Sequence, residues 1–139
     1  MMGAVEKVFD EYIAAWNSHD TERIAEFFTE DGIHEDVAVG SIFHGKSELK
    51  AGLNPLFAAC PDFKLELKTL FVAGNWVAQE WVMSGTQTGD LNILGIAATG
   101  KRFSIRGASI TRLRDGKIAR NTDYWDMESM RRQLGQQTR

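Results

Sequence analysis

Apolar residues recur at helical spacing near the start of the chain and at every second position in its later part. That change of period divides the sequence in two. Val5, Val8, Phe9, Tyr12, Ile13 and Trp16 share one helical face, predicting an amphipathic helix over residues 3–17. Asn17-Ser18-His19-Asp20 interrupts it, and Asp20 is suited to cap a short second helix with Ile24, Phe27 and Phe28 as its apolar face. Asp31-Gly32 ends that helix. Ile33 to Val39 alternates loosely and reads as a short strand, while Leu49, Leu53, Leu56 and Phe57 predict a helix over residues 47–59, kinked at Pro55.

From Asp62 the period is two. Phe63, Leu65 and Leu67 alternate with Lys64, Glu66 and Lys68, as in a strand buried on one face only. Ala73-Gly74-Asn75 forms a turn into a strand over residues 76–85, with Val77, Gln79, Trp81 and Met83 on one face and Trp76, Ala78, Glu80 and Val82 on the other. After a glycine-bearing loop over 86–100, residues 102–114 and 117–125 read as a hairpin about Asp115-Gly116, and a last helix runs from about Met127 to Leu134. Helices first and long antiparallel strands afterwards argue for an α+β domain with helices on one face of a sheet. A bent sheet would enclose a cone.

Length and composition narrow the class. The chain has 139 residues, 43% hydrophobic and 25% charged, so one packed domain spanning 1–139 is expected. The net charge is −3 with no long run of like charges, and neither nucleic acid nor an anionic membrane is an expected partner. Cys60 is the single cysteine, which precludes an internal disulfide and a thiolate cage for zinc. No signal peptide and no long apolar run is visible, so a cytoplasmic protein is expected.

Several short tracts carry a resemblance. They are Ala15-Trp16-Asn17-Ser18-His19-Asp20, Phe28-Thr29-Glu30-Asp31-Gly32, Phe43-His44-Gly45-Lys46, Ala98-Thr99-Gly100-Lys101, and Asp115-Gly116-Lys117-Ile118 leading to Asp123-Tyr124-Trp125-Asp126 and Gln133-Leu134-Gly135. Over nearly its whole length the chain resembles the SnoaL-like polyketide cyclases of the nuclear transport factor 2-like superfamily, which also holds ketosteroid isomerases and limonene epoxide hydrolases. The resemblance implies a cone-shaped, curved antiparallel sheet with three to four helices around an apolar pocket, a homodimer, and no metal or organic cofactor. It also implies a proton-transferring carboxylate on the last long strand, at Asp123. The epoxide hydrolases pair that carboxylate with an Arg and an Asp on the neighbouring strand, where this chain has Trp81 and Met83. Where they hold water with a Tyr and an Asn, it offers His34 and Asp36.

The residues themselves keep alternatives open. Asp123 shares a strand face with Asn121 and Trp125, and if that face lines the pocket, burial should raise the Asp123 pKa; otherwise it is a carboxylate paired with an arginine. Asp126 stands where a helix N-cap belongs, and its nearness to Asp123 also allows a paired-carboxylate site. His34 is suited to shuttle a proton with Asp36 orienting its ring, or is an ordinary hydrogen-bonded histidine. Trp16, Trp81, Met83 and Trp125 line a pocket or fill a core, with Ser109 and Asn121 as polar lining. Arg106 and Arg112 form a solvated or dimer-facing row. HxH, HExxH, GxGxxG and Gly-x-Ser-x-Gly patterns are all missing, so metal, nucleotide and covalent serine chemistry lack support. The expected function is acid/base catalysis of ring closure or double-bond shift on a small, largely apolar carbonyl compound, with His34 or another donor polarising the carbonyl. The alternative is a non-catalytic domain binding small hydrophobes or a protein.

Overall fold

The computed structural model describes residues 3–136. Helix α1 (Ala4–Ser18) buries Phe9, Tyr12, Ala15 and Trp16, the stripe its periodicity requires. The Asp20 side chain accepts a hydrogen bond from the Arg23 amide and starts α2 (Thr21–Glu26). That helix stops sooner than the apolar pattern suggests, because Phe28 already belongs to β1 (Phe28–Asp36) and turns its ring into the core as a strand residue. A short β2 (Ser41–His44) follows, then α3 (Gly45–Ala59) with Pro55 inside it.

The later part is sheet: β3 (Lys64–Ala73), β4 (Trp76–Thr86), β5 (Arg102–Arg114) and β6 (Lys117–Trp125), closed by α4 (Met127–Gln133). The six strands run in the order β2-β1-β6-β5-β4-β3. All neighbouring pairs are antiparallel except β1 and β6, which are parallel, so the sheet is mixed rather than wholly antiparallel. The reason is local: β1 and β6 are not joined by a hairpin, and nothing in a turn dictates their direction. Register shifts in β1–β6, β3–β4 and β5–β6 bend the sheet around the helices.

The core lies between the concave sheet face and α1, α2 and α3, with α4 packed on β5. The segment between β4 and β5 is held from inside. Fully buried Gln87 donates to the carbonyls of Ile96 and Ala97 and accepts from the backbone and hydroxyl of Thr99. This strut fixes Asp90–Leu94 against the cavity described next. Among the described residues no helix is long and apolar enough to cross a membrane.

Candidate active site

Strand pairing aligns the inward-facing side chains. Across the sheet Asp36 faces Asp123, Asp123 faces Ser109, and Ser109 faces Gln79; one step along, His34 pairs with Asn121 and Asn121 with Thr111. Side chains two apart on a strand share a face, so both rows point into the concavity. They meet a cavity of about 320 Å³ that Trp16, Trp81, Met83, Ser109, Asn121 and Trp125 all help to line, together with His34, Asp36 and Asp123. Asp126 is outside it. Its side chain is exposed and accepts from the Ser129 amide as the N-cap of α4, so no paired-carboxylate site with Asp123 forms: the strand ends at Trp125 and the next residue turns outward.

Asp123 is the convergence point. Its Oδ1 accepts from Ser109 Oγ at 2.5 Å and from Asn121 Nδ2 at 2.7 Å, and its Oδ2 lies 3.3 Å from His34 Nε2. Each donor is itself held. Trp81 Nε1 donates to Ser109 Oγ at 2.7 Å. Gln79 Nε2 donates to the Val77 carbonyl and to Thr111 Oγ1, and Thr111 passes its proton to Asn121 Oδ1 at 2.6 Å. The Val77 carbonyl can only accept, so it gives the chain a direction. Asn121 must therefore present its nitrogen to the carboxylate.

Charges follow from this wiring. Burial alone would push the Asp123 pKa up, but His34 and the Ser109 and Asn121 bonds outweigh it and hold the carboxyl below its usual range. That reverses the rise expected from burial. Burial also opposes a charged His34, yet the Asp123 carboxylate lifts the imidazole above its ordinary value. Asp36 goes the other way. Burial raises its pKa, the two Trp125 Nε1 contacts at 3.0 Å oppose that only in part, and it makes no bond to His34. Asp123, not Asp36, orients the His34 ring, because parallel pairing puts Asn121 beside His34 and leaves Asp36 to the indole of Trp125.

A family model of the SnoaL-like polyketide cyclases matches residues 6–134. The chain belongs to that family. It is 31% identical over 130 residues to the aklanonic acid methyl ester cyclase DauD of Streptomyces sp. (strain C5), covering 89% of this chain and 77% of that relative. It is 27% identical over 126 residues to the nogalonic acid methyl ester cyclase of Streptomyces nogalater, covering 88% and 91%. Among solved structures, TsrD from Streptomyces laurentii superposes with a TM-score of 0.83 at 28% identity, over 97% of this chain and 98% of that one. A protein with a ketosteroid isomerase-like fold from Catenulispora acidiphila, in complex with trimethylamine, gives 0.83 at 21% identity over 94% of each chain.

Within this SnoaL-like frame, several site-building residues carry weak sequence signals. Gln79 and Thr111 are polar at inward positions of strands, which is the mark of a buried network, but their partners lie on other strands. Two glycines make room for aromatic walls. A Cβ on Gly107 would sit 2.3 Å from the Trp81 ring, and one on Gly52 2.1 Å from Phe43, the ring that stacks on His34. Among the described residues no three His, Cys, Asp or Glu side chains come together as a metal-ligand set.

Proposed function

We propose that the protein is a cofactor-independent acid/base enzyme that closes a ring in a small, largely apolar carbonyl compound, with Asp123 as the base. The observation that carries this reading is an ionised carboxylate at the wall of an apolar cavity, held by three donors whose own partners are fixed. A carboxylate kept below its ordinary pKa is charged throughout the neutral range but is a weak base. It suits a carbon acid that is already activated, such as a C–H between ketone and ester carbonyls. The relatives' printed names, cyclases of methyl esters, support that class.

In the proposed step an Asp123 oxygen takes the proton and the electron pair of the C–H bond passes to the carbonyl oxygen. The resulting enolate carbon attacks a second carbonyl of the same molecule, forming the new C–C bond. The alkoxide then recovers the proton from Asp123, leaving product isomeric with substrate. His34, with Nε2 on Asp123 and Nδ1 beside Asn121, is read as holding the base ionised and oriented rather than as polarising the carbonyl. A homodimer is part of the proposal. It is supported by a row on the outer sheet face in which Phe71, Ala78, Ile110 and Thr122 are successive strand partners, with Phe71 and Ile110 well exposed.

The test uses an aromatic β-keto ester bearing a second ketone placed to close a six-membered ring. Wild type should yield a cyclised isomer of unchanged mass, and Asp123→Asn should lose about 10²- to 10⁴-fold in rate while still binding the ester. Full activity in that variant would remove Asp123 from the mechanism.

A further inference from the structure

Gln79, Ser109, Asp123, Asp36 and Ser41 are successive strand partners across the sheet, one from each strand between β4 and β2, and all line the cavity. The first three belong to the wiring that holds Asp123 ionised, and their polar atoms are committed there. The outer two are not. Asp36 Oδ1 accepts from the Val39 amide at 3.2 Å and shares the Trp125 indole N–H with Oδ2, at 3.0 Å to each, which leaves Oδ2 with lone pairs to spare. Ser41 shares the inward face of β2 with Phe43, whose ring stacks on that of His34.

Both side chains are half-buried, and each can be reached from the cavity. Among the described residues the Ser41 hydroxyl bonds neither to Asp36 nor to any other protein group. Directly opposed residues of an antiparallel pair have Cβ atoms about 5 Å apart, so one ligand oxygen can touch both side chains. A carboxylate oxygen only accepts, whereas a serine hydroxyl can donate. The group that answers both is one that donates one hydrogen bond and accepts another, a hydroxyl. A ketone or ether oxygen could use Ser41 but would set its lone pairs against those of Asp36. Burial and the Asp123 charge penalise the Asp36 carboxylate, Trp125 relieves this only in part, and a ligand hydroxyl supplies the further donor.

We infer that Asp36 and Ser41 form a subsite for a hydroxyl group on the ligand's ring, and so select among flat apolar compounds and fix which end lies over Asp123. Neighbouring strands are about 4.8 Å apart, which places that hydroxyl roughly 5–10 Å from the base. This rests on the reading of the cavity as a substrate site and names a hydroxylated ring compound as the class it takes.

The probes 2-naphthol, 2-methoxynaphthalene and 2-methylnaphthalene share one ring system and offer, in turn, a donor with an acceptor, an acceptor alone, and neither. Wild type should bind the naphthol about tenfold more tightly than the methyl ether, the scale of one hydrogen bond to a charged acceptor. In Asp36→Asn the Val39 amide and the Trp125 indole still require an oxygen, so the side-chain NH₂ turns to the cavity and the subsite becomes donor only. The ether should then bind at least as tightly as the naphthol. Ser41→Ala should weaken both oxygenated probes about threefold. The 2-methylnaphthalene affinity should stay within about twofold in both variants, which shows the cavity intact. Equal wild-type affinities for naphthol and ether, or a naphthol preference kept in Asp36→Asn, would overturn the subsite while sparing the apolar cavity. Failure of all three probes to bind wild type would overturn both.

Discussion

Asp123 carries a charge that its burial alone would suppress, and the groups that permit it are local: an imidazole, a hydroxyl and an amide on three different strands. Asp36, its direct strand partner, is pushed toward the neutral form by burial. The two carboxylates therefore have opposite linkage to stability. Asp123, with its pKa depressed by folding, contributes stability that is present above the unfolded carboxyl value and lost as pH falls through the folded one. Asp36, raised above its ordinary 3.8, contributes stability that is full below that value and is lost as pH rises through its folded pKa. In Asp36→Asn the second dependence should disappear: relative to wild type, the variant should gain stability as pH rises from about 4 toward neutrality. Urea midpoints measured across that range check it, and parallel curves would remove Asp36 as a titrating group.

At the level of elements, the start of α4 separates a capping carboxylate, Asp126, from the proposed base, Asp123. Asp126→Ala removes the cap on the Ser129 amide and should cost about 1 kcal/mol in stability, with ring closure at the wild-type rate. A rate loss like that of Asp123→Asn would return Asp126 to the site. The bounds of the β5–β6 hairpin were legible residue for residue, because apolar and polar residues alternate along β5 and Asp115 and Gly116 both adopt the positive φ its turn requires; the register shift after Arg112 was not. The start of β1 was not. Phe28 fits a helical face and a strand equally well, and the tertiary contacts decide. Nor was β2, whose four residues are too few to show a period. Asp123, His34 and the aromatic lining could be named from residue type and resemblance. Their wiring could not, since it depends on a parallel register between residues separated by 87 positions in the case of His34 and Asn121.

For the whole molecule, the curved sheet sends its polar row inward and leaves an apolar row outside. Arg106 and Arg112 flank that outer row and are exposed, as their alternation with Ile105 and Leu113 requires. If two copies cover the row, light scattering at micromolar concentration should give twice the mass of one chain, and Ile110→Asp should give one, with the interior unaffected. A monomeric wild type would count against the dimer and leave the cavity untouched. Isolating the proton step tests the proposed base and its cavity most directly. An aromatic β-keto ester without a second ketone cannot cyclise, so deuterium uptake from D₂O at its activated carbon, above the buffer rate, reports Asp123 alone. Wild type should accelerate uptake and Asp123→Asn should lose that acceleration by about 10²-fold or more while binding the ester as before; equal acceleration by both proteins would contradict the assignment of the base.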